Sequence, residues 1–541
     1  MPATCRNIAP SHTRLYSLLA ATLMTETPTL AEFERIALGQ SPFSLNQAQW
    51  QDIETSHHYL LDQISKRRLI YGVNTGYGPL ATTYVEPHHS DQLQQNLVHH
   101  LCSGVGPALS PLHTRALIMA RLLSLSQGHS GASPALVQRL SDCLTHDFLP
   151  EIPSQGTVGA SGDLTPLAHL ARGLGGEGRV RLGDSDWMTA AQAHDLLGWK
   201  PLTLAGKDAI ALVNGTSVTT GIAALNGVLA LRLVKLSAAL TLLYAELLQG
   251  NREAFHPLIG DVRPHPGQRV IHQWLWHKSA SSQKLQAWVA SGRYLPDAAA
   301  GDIQQNQPLP QDAYTVRCAP QALGAVLDCI EHHNEVTLRE LGSVTDNPLL
   351  FAEQDTILHG GNFFGQHLAF ASDHLHNAVI QMALYSERRL ARITDPLRNG
   401  GLPAFMQGQQ TGLHSGFMGA QVTATSLVAE MRSNAIPASI QSISTNADNQ
   451  DIVPLGTIAA RKAAAAQNTL QKVLAIELMV LAQALEIRGL DGFSDSSQQL
   501  YALVRESVEP LAGDRALAED IERLAERLAN PDALRFLNMT E

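Results

Sequence analysis

Leucine residues recur at helical spacing through a long segment in the C-terminal half of the chain. Residues 457–488 contain neither proline nor glycine, and the leucines of this segment follow one another at steps of three or four: Leu470, Leu474, Leu478, Leu481 and Leu485. Because an α-helix turns once every 3.6 residues, this spacing places the leucines on one face. The apolar surface is widened around most of the helix by Ile476, Met479 and Val480. The pattern therefore predicts a helix that lies inside a bundle rather than on a surface.

Helical spacing also predicts helices elsewhere in the chain. Four further segments show it: Thr216–Gln249, Pro320–Leu341, Phe363–Arg392 and Ala516–Leu528. Few segments alternate between apolar and polar residues with period two, so strands should be scarce. Together these patterns predict a mostly α protein built on a bundle of very long helices.

Long polar loops rich in glycine and proline separate the predicted helices. They cover Tyr71–His89, Pro153–Gly162, Ala298–Tyr314, Asp395–Ser415 and Thr445–Gly456. Loops of this length within a folded protein usually carry function. We expect an N-terminal extension over residues 1–28, a domain over 29–205 that carries two of these loops, a central long-helix bundle over 206–490 and a C-terminal helical segment over 491–541.

Composition and charge exclude several classes of protein. The 541 residues are 44% hydrophobic, which is enough for a large core, and the formal net charge is −11. An acidic balance argues against nucleic acids and anionic membranes as partners, because both require a basic face. The five cysteines are scattered and form no C-x-x-C pair. This is typical of reduced thiols in a cytoplasmic protein.

Targeting, membrane and metal signals are weak. Residues 15–24 faintly resemble a signal peptide, but residues 25–28 form a poor cleavage site. Every apolar window long enough to span a bilayer carries Arg, Lys or Glu. The adjacent histidine pairs lack the spacing of H-E-x-x-H, so no metal site is predicted. We therefore expect a cytoplasmic protein that binds neither a membrane nor a metal.

The segment Gly156–Leu167 contains residues that could react with one another. Gly162 lacks Cβ, so its amide nitrogen can approach the carbonyl group of Ala160, and Ser161 between them carries a β-hydroxyl. Attack of that nitrogen on that carbonyl, with loss of two water molecules, would close a five-membered ring and leave a methylidene group on Ser161. Such a ring is an electrophile, which no ordinary side chain provides.

Other interpretations of this region compete with self-cyclisation. A serine-hydrolase elbow requires glycine two residues after the serine, where this chain has Asp163. Residues 173–178 fit the pattern G-x-G-x-x-G, but the residues before them have a helical rather than a strand pattern, which argues against dinucleotide binding. For the tripeptide Ala160–Gly162 taken alone, an ordinary loop would be the simpler interpretation.

The residues around the tripeptide decide between these interpretations. Gly156–Ala171 resembles, position for position, the signature of the histidine, phenylalanine and tyrosine ammonia-lyase family. Further segments that resemble family motifs follow in the family's order: Tyr71–Gly78, Ala211–Ser217, Gln311–Cys318, Ser343–Pro348, His359–Phe363 and Asn449–Asp451. Because the agreement extends through most of the chain, the ordinary-loop interpretation is rejected.

The resemblance implies a cofactor, a fold and an assembly. The cofactor is 4-methylideneimidazole-5-one (MIO), which the family forms from the residues matching Ala160, Ser161 and Gly162 without an external group. The fold is the long-helix architecture of the fumarase and aspartase superfamily, with a smaller N-terminal α+β domain that carries the MIO loop. The assembly is a homotetramer in which each active site is built from three chains. The reaction is the loss of ammonia from an aromatic L-α-amino acid.

The resemblance also assigns roles to particular residues. Tyr71 matches the base that removes the β-proton. Arg317 matches the residue that binds the substrate carboxylate, for which a planar guanidinium group is suited. Tyr314 and Asn214 match residues beside the MIO group, and Phe363 matches an aromatic neighbour of the ring.

The segment Leu97–Gly106 resembles the part of the family that selects the substrate. A His-Leu pair there accompanies tyrosine as the substrate, and this chain has His100 and Leu101. An imidazole can form a hydrogen bond with a phenolic hydroxyl. Asn446 and Gln450 are also expected to contact the substrate, and Gln450 stands where histidine lyases place a glutamate. We therefore expect L-tyrosine to be converted to trans-p-coumarate and ammonia, with slower activity on L-phenylalanine.

Two alternatives remain open within the family. A tyrosine or phenylalanine 2,3-aminomutase would return the ammonia to the β-carbon, and a histidine ammonia-lyase would act on a different ring. The MIO motif does not separate these activities, because the outcome depends on how long the products stay enclosed. A silent helical scaffold is disfavoured, since the candidate catalytic residues are retained together.

Overall fold

The protein is described here from a computed structural model, which covers residues 27–286, 311–408, 410 and 412–539. The α-helices are, in chain order, α1 (Leu30–Ala37), α2 (Gln47–Ser65), α3 (Ser90–Leu101), α4 (Pro111–Leu125), α5 (Pro134–Thr145), α6 (Leu164–Leu174), α7 (Ala190–Leu197), α8 (Asp208–Val213), α9 (Ser217–Leu247), α10 (Pro257–Asp261), α11 (Pro266–Lys278), α12 (Tyr314–Arg317), α13 (Ala319–Leu341), α14 (Gln366–Ile393), α15 (Met418–Ser433), α16 (Gly456–Arg488), α17 (Asp495–Arg505) and α18 (Ala518–Ala529). Short 3₁₀-helices lie at Gly78–Thr82, Pro87–His89, Arg252–Phe255, Ala404–Met406 and Arg535–Leu537.

Strands are short and pair in antiparallel fashion. They are β1 (Val105–Ala108), β2 (Phe148–Pro150), β3 (Pro153–Gln155), β4 (Arg179–Leu182), β5 (Met188–Thr189), β6 (Leu349–Phe351) and β7 (Thr356–Leu358). Within the described residues, β1 pairs with β3, β4 lies between β2 and β5, and β6 pairs with β7. The prediction that strands are scarce is confirmed.

The long helices begin and end close to their predicted limits. The predictions over Thr216–Gln249, Pro320–Leu341, Phe363–Arg392 and Ala516–Leu528 correspond to α9, α13, α14 and α18. The leucine-rich segment is α16, and Gly489 follows it with φ +78°, a left-handed conformation that costs little without a Cβ. The prediction of a mostly α protein is therefore confirmed. Most of the expected N-terminal extension and most of the predicted loop over Ala298–Tyr314 lie outside the described residues.

The chain divides into two compact units. The first unit holds the described residues of Met1–Leu225, together with Glu335–Leu368 and Gln441–Thr457. The second unit holds the described residues of Asn226–Asn334, Ala369–Ile440 and Ile458–Glu541.

The core of the second unit consists mainly of aliphatic side chains from the long helices. Leu240 on α9, Leu375 on α14 and Leu478 on α16 are fully buried in one cluster. Burying such a side chain contributes about 1.5–3 kcal/mol. The same unit buries an ion pair, in which Nε of Arg389 lies 2.6 Å from Oε1 of Glu477. Additional hydrogen bonds to both partners offset the loss of their hydration.

Helix α9 is long and apolar enough, by length and composition alone, to cross a membrane. Its most apolar window has a mean hydropathy of 1.7, but 72% of that window is buried inside the protein. Arg232, Lys235 and Glu246 also lie along this helix. These features are those of a core helix in a large helical protein.

Three helices of the first unit pack against one another, and each ends or begins at a segment that carries predicted site residues. Helix α3 ends at Leu101, α6 begins just after Ala160–Gly162, and α8 ends just before Asn214. The packing of α3, α6 and α8 therefore brings together three segments that are distant in the sequence.

Candidate active site

The tripeptide Ala160–Gly162 forms a tight turn ahead of α6. Gly162 has φ +74°, and a Cβ at this position would lie 2.2 Å from the backbone oxygen of Gly215. The backbone of Gly162 is bridged both to Ala160 and to Gly215. Only glycine fits at position 162, because a side chain would overlap the backbone of Gly215.

Asn214 contacts this turn from the end of α8. Its Nδ2 donates a hydrogen bond of 2.7 Å to the backbone oxygen of Ser161. Its Oδ1 is buried and has no hydrogen-bond partner within the described part of the chain. An unpaired buried acceptor is costly, so this atom is suited to receive a proton donor from a bound molecule.

Asp163, the residue after the turn, is held in place by hydrogen bonds to its carboxylate. Its carboxylate accepts hydrogen bonds from the backbone nitrogen of Thr219 at 2.8 Å, from Oγ1 of Thr219 at 2.9 Å and from Oγ1 of Thr457. Complete burial raises the pKa of Asp163, although these hydrogen bonds oppose the rise. The Asp163 nitrogen donates to the Gly215 oxygen at 2.7 Å, which ties the start of α6 to the segment after α8.

A second loop approaches the turn from far along the chain. Thr445 and Gln450 pair through two backbone hydrogen bonds, and Asn446, Ala447 and Asp448 between them have left-handed backbones with φ of +55°, +54° and +60°. This turn directs the Gln450 side chain toward Ser161, where Nε2 donates to Oγ at 3.1 Å. Strained turns of this kind are retained where the surrounding structure requires them.

Tyr71 and Tyr77 lie in one loop with their rings edge to face, 6.4 Å apart. The backbone nitrogen of Gly78 donates to the phenolic oxygen of Tyr71 at 2.9 Å. Such a hydrogen bond stabilises negative charge on that oxygen. Burial raises the pKa of Tyr77, so this second phenol stays neutral. Nε2 of Gln94 donates to the Tyr77 oxygen at 3.3 Å.

His100 and Leu101 form the last turn of α3. Nδ1 of His100 lies 3.0 Å from the backbone oxygen of Asn96. Because a carbonyl oxygen only accepts hydrogen bonds, Nδ1 must carry the proton in this contact. In a neutral imidazole, Nε2 is then an acceptor.

A cavity of about 1190 Å³ in the first unit brings most of the predicted site residues together. They are Tyr71, His100, Leu101, Ala160, Ser161, Gly162, Asn214, Phe363, Asn446 and Gln450. The cavity is also lined by Leu97, Asn347 and Asn449, which were not predicted as site residues. Leu97 precedes His100 by three residues on the same helix face, and both asparagines lie within segments that resemble family motifs. The sequence therefore contained the information needed to predict all three as site residues.

Tyr314 and Arg317 do not line this cavity and belong to the second unit. They are the first and last residues of α12, and the guanidinium carbon of Arg317 lies 4.6 Å from the centre of the Tyr314 ring. Tyr314 is 67% exposed, which is unusual for a large aromatic residue. Nε of Arg317 is buried and has no hydrogen-bond partner among the described residues.

Metal ligation has no support in the described part of the chain. No group of three or more His, Cys, Asp or Glu residues there is placed to hold a metal ion. The cavity instead combines a compressed Ala-Ser-Gly turn with phenol, imidazole and amide side chains. This combination is suited to the chemistry of a small polar molecule that carries a ring.

Comparisons with known proteins agree with the resemblance noted in the sequence. The family profile described as aromatic amino acid lyase matches residues 29–506. The chain is 47% identical over 470 residues to a tyrosine ammonia-lyase of Cereibacter sphaeroides, which covers 86% of this chain and 89% of that protein. It is 37% identical over 500 residues to a histidine ammonia-lyase of Natranaerobius thermophilus, with 92% and 95% covered.

The fold is shared with solved structures as well. The crystal structure of a tyrosine aminomutase from Streptomyces globisporus matches with a TM-score of 0.89 and 36% identity, covering 94% of this chain and 97% of that one. The sequence-based prediction of the family is thereby confirmed. The chain belongs to the aromatic amino acid lyase family, whose ammonia-lyases cleave carbon–nitrogen bonds.

Proposed function

We propose that this chain is a tyrosine ammonia-lyase, which converts L-tyrosine to trans-p-coumarate and ammonia. The observation that carries the proposal is the position of the compressed turn Ala160–Gly162 in one cavity with Tyr71 and His100. The turn provides the residues for an electrophile, the tyrosine a base, and the histidine a partner for a phenolic substrate. The similarity to the tyrosine ammonia-lyase of Cereibacter sphaeroides supports the same assignment.

The residues of the turn fit the MIO group that the family resemblance implies. The space beside Gly162 has no room for a side chain. Asn214 donates a hydrogen bond to the backbone oxygen of Ser161 through Nδ2, and its Oδ1 is buried without a partner among the described residues. Self-condensation of Ala160, Ser161 and Gly162 would supply MIO without any external cofactor. The group provides an electron-poor alkene, an electrophile toward the substrate amine.

Tyr71 is the proposed base that removes the β-proton of the substrate. The Gly78 N–H bonded to its phenolic oxygen stabilises the charge that this role requires. Tyr77 is unsuited to the role because burial keeps it neutral.

His100 is the proposed partner of the substrate hydroxyl. Because the Asn96 carbonyl fixes the proton on Nδ1, Nε2 can accept a hydrogen bond from the phenol of tyrosine. Phenylalanine cannot donate this bond and should be the slower substrate. Leu101 and Phe363 line the same cavity and supply apolar contacts for the ring. Asn446 and Gln450 contribute amide groups to the same lining.

Arg317 and Tyr314 are proposed to complete the site from neighbouring copies in a homotetramer. Arg317 would bind the substrate carboxylate through its planar fork, and Tyr314 would lie beside the electrophile. The ring of Tyr314 is exposed, and Nε of Arg317 has no hydrogen-bond partner among the described residues. Both observations support contacts of these residues with another copy of the chain. We propose a cytoplasmic location, because the free cysteines suit a reducing compartment.

A tyrosine 2,3-aminomutase is the second candidate, favoured by the similarity to the Streptomyces globisporus structure. The same residues would then hold the acrylate and ammonia long enough for the ammonia to return to the β-carbon. A histidine ammonia-lyase is less well supported, because the neutral Gln450 cannot engage an imidazole through charge.

One experiment separates these activities. The purified protein is incubated separately with tyrosine, phenylalanine and histidine, with acrylate followed by absorbance and β-amino acid by chromatography. The proposal predicts p-coumarate from tyrosine as the main product and slower cinnamate from phenylalanine. Accumulation of β-tyrosine would identify an aminomutase, and turnover of histidine alone would refute the choice of substrate.

A further inference from the structure

A fully buried arginine lies behind the reactive turn. Nη1 of Arg121, on α4, donates to the backbone oxygen of Asn214 at 2.8 Å, and Nη2 donates to Oγ of Ser124 at 3.1 Å. Burial lowers the pKa of Arg121 to about 10, so the guanidinium group remains charged near neutral pH. Burying a charge is costly, and the hydrogen bonds to Asn214 and Ser124 offset part of that cost.

The contact holds the backbone at Asn214, where the Asn214 side chain and the adjacent Gly215 backbone approach the tripeptide. Asn214 follows the end of α8, so its carbonyl group needs a partner outside the helix. With this oxygen held by Arg121, Nδ2 of Asn214 reaches the Ser161 oxygen at 2.7 Å. The Gly215 oxygen accepts from the Asp163 nitrogen at 2.7 Å, and the Gly215 backbone closes the space beside Gly162.

Arg121, Gly215 and Gly162 are packed so closely that no side chain fits on either glycine. A Cβ on Gly215 would lie 2.0 Å from Nη1 of Arg121 and 2.8 Å from Oγ1 of Thr345. A Cβ on Gly162 would in turn overlap Gly215. The guanidinium group of Arg121 therefore packs against Gly215, and Gly215 packs against the turn at Gly162.

We propose that Arg121 is a positioning residue for the self-condensation of Ala160–Gly162. This inference rests on the proposed function, because it concerns the same MIO group. Within the described part of the chain, Arg121 forms no hydrogen bond with the three reacting residues, and it acts through Asn214 and Gly215.

The condensation is balanced without an oxidant. The Gly162 nitrogen bonds to the carbonyl carbon of Ala160, and the Ala160 oxygen leaves as water with the amide hydrogens of Gly162 and Ser161. A second water forms from the Ser161 hydroxyl and the Cα hydrogen of Ser161, which leaves the methylidene group. The hydrogen bond from Asn214 to the Ser161 oxygen withdraws electron density and makes that Cα hydrogen easier to remove.

The chain offers a matched control on the same helix. Arg115 is also buried on α4, and its guanidinium group donates to the backbone oxygens of Ala37 at 2.8 Å, Ile36 at 3.1 Å and Leu144 at 3.1 Å. It also pairs with Asp147. Loss of Arg115 should therefore disturb folding as much as loss of Arg121 does, without moving the tripeptide.

The test compares full-length Arg121→Met, Arg121→Lys, Arg115→Met and the unchanged protein by intact and peptide mass at fixed times after synthesis. Thermal unfolding and circular dichroism report folding. We expect the unchanged protein and Arg115→Met to lose the mass of two waters. Folded Arg121→Met should largely keep both waters, and Arg121→Lys should lose them more slowly than the unchanged protein.

Two results would overturn the inference. Complete dehydration of folded Arg121→Met at the rate of the unchanged protein would do so. If that variant does not fold, dehydration of Arg121→Lys at the unchanged rate would do so instead. Retention of both waters by the unchanged protein would contradict the proposed function itself, and the inference with it.

Discussion

Tyr71 and Tyr77 lie in one loop, but their phenol groups have different surroundings. The Tyr71 oxygen accepts a backbone hydrogen bond in the cavity, whereas burial keeps Tyr77 neutral. We expect Tyr71→Phe to lower kcat for tyrosine about 10²- to 10⁴-fold, the usual contribution of a positioned base. Tyr77→Phe is the matched control and should cost about 1 kcal/mol of stability through its lost hydrogen bond. Steady-state kinetics and denaturation check both; equal losses of kcat would refute the base assignment.

His100 should determine the preference for a hydroxylated ring. Replacing it in His100→Phe removes the acceptor at Nε2, so the ratio of kcat/KM for tyrosine over phenylalanine should fall roughly 10- to 100-fold. His99→Phe is the control, because His99 contacts Glu177 instead and does not line the cavity. The two ratios are measured under identical conditions. An unchanged ratio in His100→Phe would contradict the role given to this histidine.

Residue types in the site were predictable where a motif fixed them, and their contacts were not. Ser161 and Gly162 followed from the need for a β-hydroxyl and an unhindered amide nitrogen. The contact of Gln450 with Ser161 joins residues 289 positions apart, which no local pattern encodes. The proton position on His100 likewise depends on a backbone oxygen whose geometry appears only in the folded helix.

At the scale of elements, Gln94 joins three segments of the site. From α3, its Nε2 donates to the Gly72 oxygen at 3.0 Å, and its Oε1 accepts from the Ala209 nitrogen on α8 at 3.0 Å. Gln94→Leu should lower the free energy of unfolding by about 1–3 kcal/mol for each backbone group left unpaired. It should also lower kcat, because the loop that carries Tyr71 loses its attachment.

The neighbouring Gln95 provides the control for this prediction. Gln95 lies on the exposed face of the same helix, so Gln95→Leu should leave both quantities nearly unchanged. Urea denaturation and steady-state kinetics measure them. Equal stability of the two variants would show that Gln94 does not hold these segments together.

The long helices were predictable because their apolar residues keep a helical period over many turns. For α16, the leucine spacing and the absence of proline and glycine over residues 457–488 indicated its extent. The turn from Thr445 to Gln450 could not be predicted in the same way. Its left-handed residues are Asn446, Ala447 and Asp448, and Ala447 has no intrinsic preference for that conformation. Packing around the turn selects it, and such packing is not visible in a local window.

At the scale of the whole molecule, we propose that each site contains residues from more than one copy of the chain. Tyr71 lines the cavity of the first unit, whereas Arg317 lies in the second unit and does not line it. Tyr71→Phe and Arg317→Met should each be nearly inactive alone. Tetramers assembled from a mixture of the two variants should regain part of the activity, because some of their sites then contain both Tyr71 and Arg317.

Sedimentation and activity per total protein measure this complementation. Variants mixed after separate assembly serve as the control and should show only the summed residual activity. An active monomer, or co-assembled tetramers no more active than that control, would contradict sharing of sites between copies.

The mass of the peptide that contains Ala160–Gly162, taken from freshly purified and active protein, tests directly whether these residues condense. We predict a peptide lighter than its sequence by two water molecules, and a Ser161→Ala variant that is not dehydrated in this way and does not turn over tyrosine. An unmodified peptide in fully active protein, or full turnover by Ser161→Ala, would contradict it.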